Sequence, residues 1–182
     1  MREIEIKLKV KNLEELEKKL TERGCVFSEP VTQHDILFAS DNNLDKAEGH
    51  IAIRIRQEKN AYRLTLKQQR TNEMDNIECE TNVENPEAMQ KILEILGWKK
   101  EKIEIKKIRK KGKLGEYEIC LDRVDELGDF LELEKMTDDD TDPEKVREEL
   151  FKALEPFGLS RQDEETKGYD TQIHKLHNKN DR

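Results

Sequence analysis

The sequence is poor in the features that announce many protein classes. It has three cysteines in 182 residues, Cys25, Cys79 and Cys120. Their wide spacing fits neither a disulfide framework nor a zinc pattern, so a reducing, cytoplasmic setting is expected. No apolar run approaches the roughly 18 residues of a membrane span, and no signal peptide opens the chain, so no membrane partner is expected. A basic excess is also missing: the formal net charge is −8, which argues against a general nucleic-acid binder but leaves room for a locally basic pocket. There is no glycine-rich phosphate loop, no Ser/His/Asp constellation and no internal repeat. The one low-complexity feature is the acidic run Asp138-Asp139-Asp140. Hydrophobic residues make up only 34% against 42% charged. That balance borders on disorder, but periodic apolar positions run through most of the chain and argue for one folded domain.

What is present is a series of strands with charged residues at every second position. In the first, Ile4, Ile6, Leu8 and Val10 share one face, and Glu3, Glu5, Lys7 and Lys9 the other. Asn12 with Glu15 makes a capping box for a helix with Leu13, Leu16 and Leu20 inward, ended by Gly24. Val31 to Phe38 reads as a strand with Gln33 and Asp35 on one face, followed by a turn-rich loop from Ser40 to Gly49. Ile51 to Arg56 and Tyr62 to Lys67 form a hairpin across Lys59-Asn60. It carries Arg54 and Arg56 on one strand and Arg63, Thr65 and Lys67 on the other. Asn76 to Val83 has Glu78 and Glu80 in phase. A second helix starts at Asn85-Pro86, with Met89, Ile92, Leu93 and Leu96 as its inward stripe. Glu101 to Lys110 carries Lys107 and Arg109. Its untidy parity, Ile103 and Ile105 against Ile108, predicts a bulge or kink. Glu116 to Val124 pairs with it and presents Glu118, Cys120 and Asp122. Phe130 to Met136 presents Glu132 and Glu134. A third helix opens at Asp142-Pro143, with Val146, Leu150 and Leu154 inward. Residues 173–182 are expected to fray as a polar tail.

Seven acids and six bases therefore alternate with apolar residues: Glu3, Glu5, Glu78, Glu80, Asp122, Glu132 and Glu134 against Lys7, Arg54, Arg56, Lys67, Lys107 and Arg109. In a dry core each ion would cost several kcal/mol, so these faces meet bulk water or a wet lumen. Any one strand alone reads as a solvated face. Together they fit a closed sheet that is polar inside as well as outside. Arg and Lys hold phosphate oxygens, and clustered carboxylates hold a hard cation such as Mg²⁺ or Mn²⁺; the combination suits phosphoryl chemistry. His174 and His177 are three residues apart but lie in the expected tail, which argues against a metal pair. Cys79 and Cys120 read as small wall residues, since nothing nearby marks a base.

The series resembles the CYTH superfamily, the triphosphate tunnel metalloenzymes. Glu3-x-Glu5-x-Lys7 is similar to its ExExK signature, Ala52-Ile53-Arg54-Ile55-Arg56 to its ALRIR strand, and Thr65-Leu66-Lys67 to its T-x-K strand. Glu78-x-Glu80, Lys107-x-Arg109 and the run from Leu121 to Glu134 continue the resemblance to about residue 170. The resemblance implies an α+β fold, an eight-stranded antiparallel closed barrel with helices packed outside, over residues 1–172. It implies that Lys7, Arg54, Arg56, Lys67, Lys107 and Arg109 hold the oxygens of a triphosphate, that Glu3, Glu5, Asp122, Glu132 and Glu134 hold Mg²⁺ or Mn²⁺, and that Glu78 and Glu80 orient the bases or assist a second metal. The branch it looks most like is class IV adenylate cyclase, converting ATP to cyclic AMP and pyrophosphate. Hydrolysis of inorganic tripolyphosphate, thiamine triphosphate or a nucleoside triphosphate is the alternative, and a non-catalytic triphosphate or polyphosphate binder a further one. The resemblance allows a homodimer, although no exposed apolar stripe stands out. Leu37-Phe38 replace a tyrosine of many relatives, and Lys167-Gly168-Tyr169-Asp170 replaces a Ser-Tyr pair where the tunnel mouth is expected to close.

Overall fold

The computed structural model describes residues 2–40 and 49–180; most of the loop expected from Ser40 to Gly49 lies outside them. Eight strands form a closed barrel: β1 (Arg2–Lys9), β2 (Val31–Ala39), β3 (Ile51–Glu58), β4 (Ala61–Gln69), β5 (Asp75–Val83), β6 (Lys99–Leu114), β7 (Tyr117–Val124) and β8 (Gly128–Thr137). Their order around the wall is β1-β5-β4-β3-β2-β6-β7-β8, and every neighbouring pair is antiparallel. Four helices accompany them: α1 (Leu13–Glu22), α2 (Pro86–Ile95), α3 (Pro143–Leu154) and α4 (Tyr169–Asn180). The fold class read from the resemblance is the one observed.

Period-two alternation gives the barrel its two faces. On the outside, Ile4, Ile6 and Leu8 of β1 join Ile119 and Leu121 of β7 and Leu131 and Leu133 of β8. Leu16 and Leu20 of α1, with Val146, Leu150 and Leu154 of α3, cover them. Asn12 caps α1 by accepting from the Glu15 N–H and Asp142 caps α3 by accepting from the Glu144 N–H; the return half of the expected capping box is absent among the described residues, the Glu15 carboxylate pairing with Lys19 at 2.8 Å. Burying this layer leaves the opposite face of the same strands, with Glu5, Lys7, Asp122 and Glu132, pointing inward.

Three expectations are corrected. Ile103, Ile105, Lys107 and Arg109 share the inner face of β6, while Ile108 faces outward, half exposed. The irregularity in β6 lies earlier, between the Ile36–Glu104 and Phe38–Lys100 pairs. On α2, Leu93 is buried and Met89 packs beside it, but Ile92, Ile95 and Leu96 are exposed, because the helix meets the sheet along a contact narrower than its apolar surface. An exposed apolar stripe therefore does exist. Finally, residues 173–180 are not a frayed tail but most of α4. Tyr169 and Ile173 anchor that helix against Ile103, Ile105, Val124 and Phe130, at one end of the barrel.

Replacing Ile173 with Asp places a charge in this cluster. It should lower stability by about 3 kcal/mol and remove amide-exchange protection from α4. Unchanged protection, measured by hydrogen exchange, would show that α4 does not depend on this anchor.

Candidate active site

The barrel encloses a cavity of about 1140 Å³. Every residue predicted for the site lines it except Asp122, which also points inward but is fully covered by its neighbours. Acids and bases meet in ion pairs around the lumen. Arg54 and Arg56 of β3 stand over Asp35 of β2. Arg56 forms a two-pronged contact with Asp35, Nε to Oδ1 and Nη2 to Oδ2, both at 2.7 Å. Arg54 approaches the same carboxylate at 3.5 Å, while its buried Nε–H has no acceptor among the described residues. Burial alone would raise the Asp35 carboxyl, but the two guanidiniums hold it well below the usual range.

Asp122 organises a second basic group. It accepts from Lys107 Nζ at 2.8 Å, Arg109 Nε at 2.6 Å and the Tyr169 hydroxyl at 3.0 Å. Arg109 also reaches Glu132. Burial and the neighbouring Arg109 push Lys107 down to about 8. Asp122, expected as a metal ligand, has its carboxylate engaged by these three donors. Lys67 is shared by Glu3 and Glu78, both at 2.8 Å. Glu80 accepts from Thr65 at 2.8 Å and Arg63 at 3.1 Å, so it orients polar neighbours.

The remaining carboxylates behave differently. Ligand oxygens of Glu5, Glu132 and Glu134 lie within 4.8 Å of one another. Opposite oxygens around a hard cation at about 2.1–2.4 Å stand about 4.2–4.8 Å apart, so the cluster has the size of a cation shell. Glu5 is 7% exposed, and neither it nor Glu134 has a salt bridge among the described residues. Burial, then Glu132, raises Glu5 to about 7. Burial, then Glu3 and Glu5, raises Glu134 to about 8. This donor set fits a hard divalent ion, which would relieve the mutual repulsion that raises Glu5 and Glu134.

The C-terminal segment closes one mouth. Lys7 Nζ donates to the Lys167 carbonyl at 2.5 Å, and the Tyr169 ring lies beneath Lys7 and Lys107, 4.5 and 4.9 Å from ammonium to centroid. Glu73 gathers the segment by accepting from Gly168 N–H, Lys167 Nζ and Thr171 Oγ1. Asp35 was visible in the sequence by parity alone. Glu73 gave no signal, since it sits in a turn and acquires its role only when the C-terminus folds onto it. The two tail histidines are apart in function: His174 pairs with Glu101 at 2.6 Å and His177 with Glu126 at 2.8 Å.

A closed antiparallel barrel whose lumen holds both anchored bases and a cluster of carboxylates at cation spacing suits a polyanion and a cation. The comparisons agree. A family model for the CYTH domain matches residues 1–169, and the chain belongs to this metal-dependent family. The chain is 34% identical over 173 residues to a Methanocaldococcus jannaschii protein named "Putative adenylate cyclase", covering 93% of this chain and 97% of that one. A solved structure of a putative adenylate cyclase from Vibrio parahaemolyticus superposes with a TM-score of 0.78 at 25% identity, covering 94% and 97% of the two chains. A Hippeastrum protein, described as a putative adenylyl cyclase with a dominant triphosphatase activity, shares the fold at a TM-score of 0.61 and 19% identity, covering 92% and 90%. Among the described residues, no helix is long and apolar enough to cross a membrane.

Because Glu5 and Glu134 hold protons in the folded chain at a pH where the unfolded chain has released them, stability without divalent cation should fall as pH rises from about 5 to 8. Glu134→Gln should flatten that slope, and Mg²⁺ should raise the melting temperature more at pH 8.5 than at pH 6. Thermal melts with and without chelator check both; a wild-type slope retained in the variant would contradict the assignment.

Proposed function

We propose that the protein is a metal-dependent enzyme that converts ATP to cyclic AMP and pyrophosphate inside the tunnel. The observation that carries this reading is that four inward bases held by Asp35 and Asp122 share one lumen with three carboxylates set at cation spacing. Arg54, Arg56, Lys107 and Arg109, with Lys7 and Lys67, are positioned to take the phosphate oxygens. The unsatisfied Arg54 Nε–H is a donor in want of an anionic acceptor. Glu5, Glu132 and Glu134 are the residues assigned to Mg²⁺ or Mn²⁺. A cation there would supply Lewis-acid polarisation of the phosphoryl oxygens and acidify the attacking hydroxyl. Asp122 is assigned as the anchor that fixes Lys107 and Arg109, and Glu3, Glu78 and Glu80 as partners that orient Lys67 and Thr65.

The ribose 3′-oxygen forms a bond to the α-phosphorus and loses its proton to water, while the bond from that phosphorus to the bridging oxygen breaks. Pyrophosphate leaves with the electron pair. The fixed guanidiniums stabilise the charge that grows on it, and they need no reorganisation because the carboxylates behind them already hold them in place.

A second reading has an observation of its own. The Lys167–Tyr169 segment closes one mouth, so a nucleoside must be housed toward the other, whereas inorganic tripolyphosphate needs no base pocket. Water would then attack the terminal phosphorus among the same residues. The Hippeastrum neighbour's described activity keeps this reading in play for the fold. A purely binding role is disfavoured, because an anion binder gains nothing from Glu5, Glu132 and Glu134 set at cation spacing.

Phosphorus NMR of the protein with Mg²⁺ and ATP, and separately with tripolyphosphate, decides between them. Cyclic AMP with pyrophosphate is expected from ATP. Orthophosphate, formed faster from tripolyphosphate, would replace the cyclase reading with the hydrolase. Glu134→Gln should lower kcat by about 10²–10³-fold while changing the Kd for tripolyphosphate less than tenfold. Equal loss of both would show that the acids serve the architecture of the tunnel rather than the reaction.

A further inference from the structure

One lumen group is left unexplained by the triphosphate chemistry. Cys120 of β7 is fully buried on the inner face, and its sulfur has no polar partner nearer than Glu134 Oε1 at 3.9 Å. Ligand atoms of Glu118, Cys120 and Glu134 all lie within 4.8 Å of one another. Cross-strand register explains the meeting. Glu118 stands directly opposite Glu134 on β8, and Glu134 directly opposite Glu5 on β1, so three carboxylates run in a row over three adjacent strands. Like charges placed directly opposite destabilise a sheet, and of this row Glu5 and Glu134 have no ion pair among the described residues. Lys111 meets one oxygen of Glu118 at 2.6 Å; the other has no contact among the described residues.

We propose that Glu118, Cys120 and Glu134 form a second cation site, selective for a thiophilic divalent ion such as Zn²⁺ or Co²⁺. It shares Glu134 with the Glu5–Glu132–Glu134 set and rests on the reading of that set as a hard-cation site only through this shared residue. One thiolate and two carboxylates with room for a fourth ligand suit a borderline ion, whereas Mg²⁺ has little affinity for sulfur. Glu134 Oε1 is the atom turned toward the Cys120 sulfur. A bridging carboxylate of this kind is how paired metal centres are held together. The alternative use of Cys120, as a nucleophile, is opposed by its surroundings: burial pushes its thiol well up, and Glu134 and Glu132 add to that. A bound cation displaces the proton outright.

Cobalt titration of the full chain tests the proposal. Cys79 is exposed and Cys25 is buried away from the lumen, so the work is done on the Cys79→Ser variant to remove the competing thiol. A thiolate-to-cobalt charge-transfer band in the near ultraviolet, saturating at one equivalent, is expected. It should vanish when Cys120→Ser is added, and Glu118→Gln alone should weaken Co²⁺ binding tenfold or more. No band in Cys79→Ser, or a band that survives Cys120→Ser, would overturn the site. Should Cys120→Ser fail to fold, Glu118→Gln decides in its place, an unchanged Co²⁺ affinity then counting against it. Mn²⁺ binding followed by electron paramagnetic resonance in the same samples reads the hard-cation set separately. Failure there with the cobalt band intact would count against that set and not against the thiolate site.

Discussion

Charge pairing across the lumen is the constraint on which the rest depends. A barrel this size cannot bury Lys7, Arg56, Lys107, Arg109, Asp35, Asp122 and Glu132 unless each charge is answered within hydrogen-bond reach. Asp35 and Asp122 give that answer, each from behind the bases it holds. They convert flexible cationic side chains into fixed donors whose remaining N–H groups face the cavity. Removing Asp35 would leave the buried Arg56 and the half-buried Arg54 without their carboxylate, and removing Asp122 would leave Lys107 without one and Arg109 with Glu132 alone, so the acids that look least involved in binding a polyanion are the ones that allow it.

The outer shell makes this possible. The layer of Ile4, Ile6, Leu8, Ile119, Leu121, Leu131 and Leu133 under α1 and α3 supplies the hydrophobic stabilisation on one side of the barrel. Since the side-chain period in a strand is two, burying that layer commits the alternate residues to the lumen; a one-residue slip would turn every base outward. Where the outer layer is thinner, over β3 and β4, α2 covers it by Leu93 and Met89 and leaves Ile92, Ile95 and Leu96 in water. The wall's chemistry is thus set by packing on its far side.

Much of this was legible in the sequence, and the reason is the same periodicity. Glu3-x-Glu5-x-Lys7, Arg54-x-Arg56 and Glu132-x-Glu134 declare their face by alternation, and their order along the chain resembles one family closely enough to imply the closed barrel. Parity does not say which acid answers which base, because partners such as Asp122 and Lys107, or Arg56 and Asp35, meet only through register across strands. Asp122 is one such case: alternation marks it only as an inward acid, and the folded chain shows Lys107, Arg109 and Tyr169 donating to it. The C-terminus was read as a polar tail because its polarity is genuine; two apolar anchors, Tyr169 and Ile173, suffice to dock α4 once the barrel end exists. Nothing local in the sequence distinguishes Glu73 or Glu118 from ordinary surface acids.

The central claim is that the bases held by Asp35 and Asp122 and the carboxylates of Glu5, Glu132 and Glu134 line one tunnel, so that a triphosphate and a cation can meet in it. A crystal structure with a non-hydrolysable ATP analogue and Mn²⁺, located by anomalous scattering, tests it most directly. The account predicts the manganese at direct-ligand distance from Glu5, Glu132 and Glu134, and the triphosphate against Arg54, Arg56, Lys107 and Arg109. Manganese bound away from these carboxylates, or a triphosphate ordered outside the barrel, would contradict it.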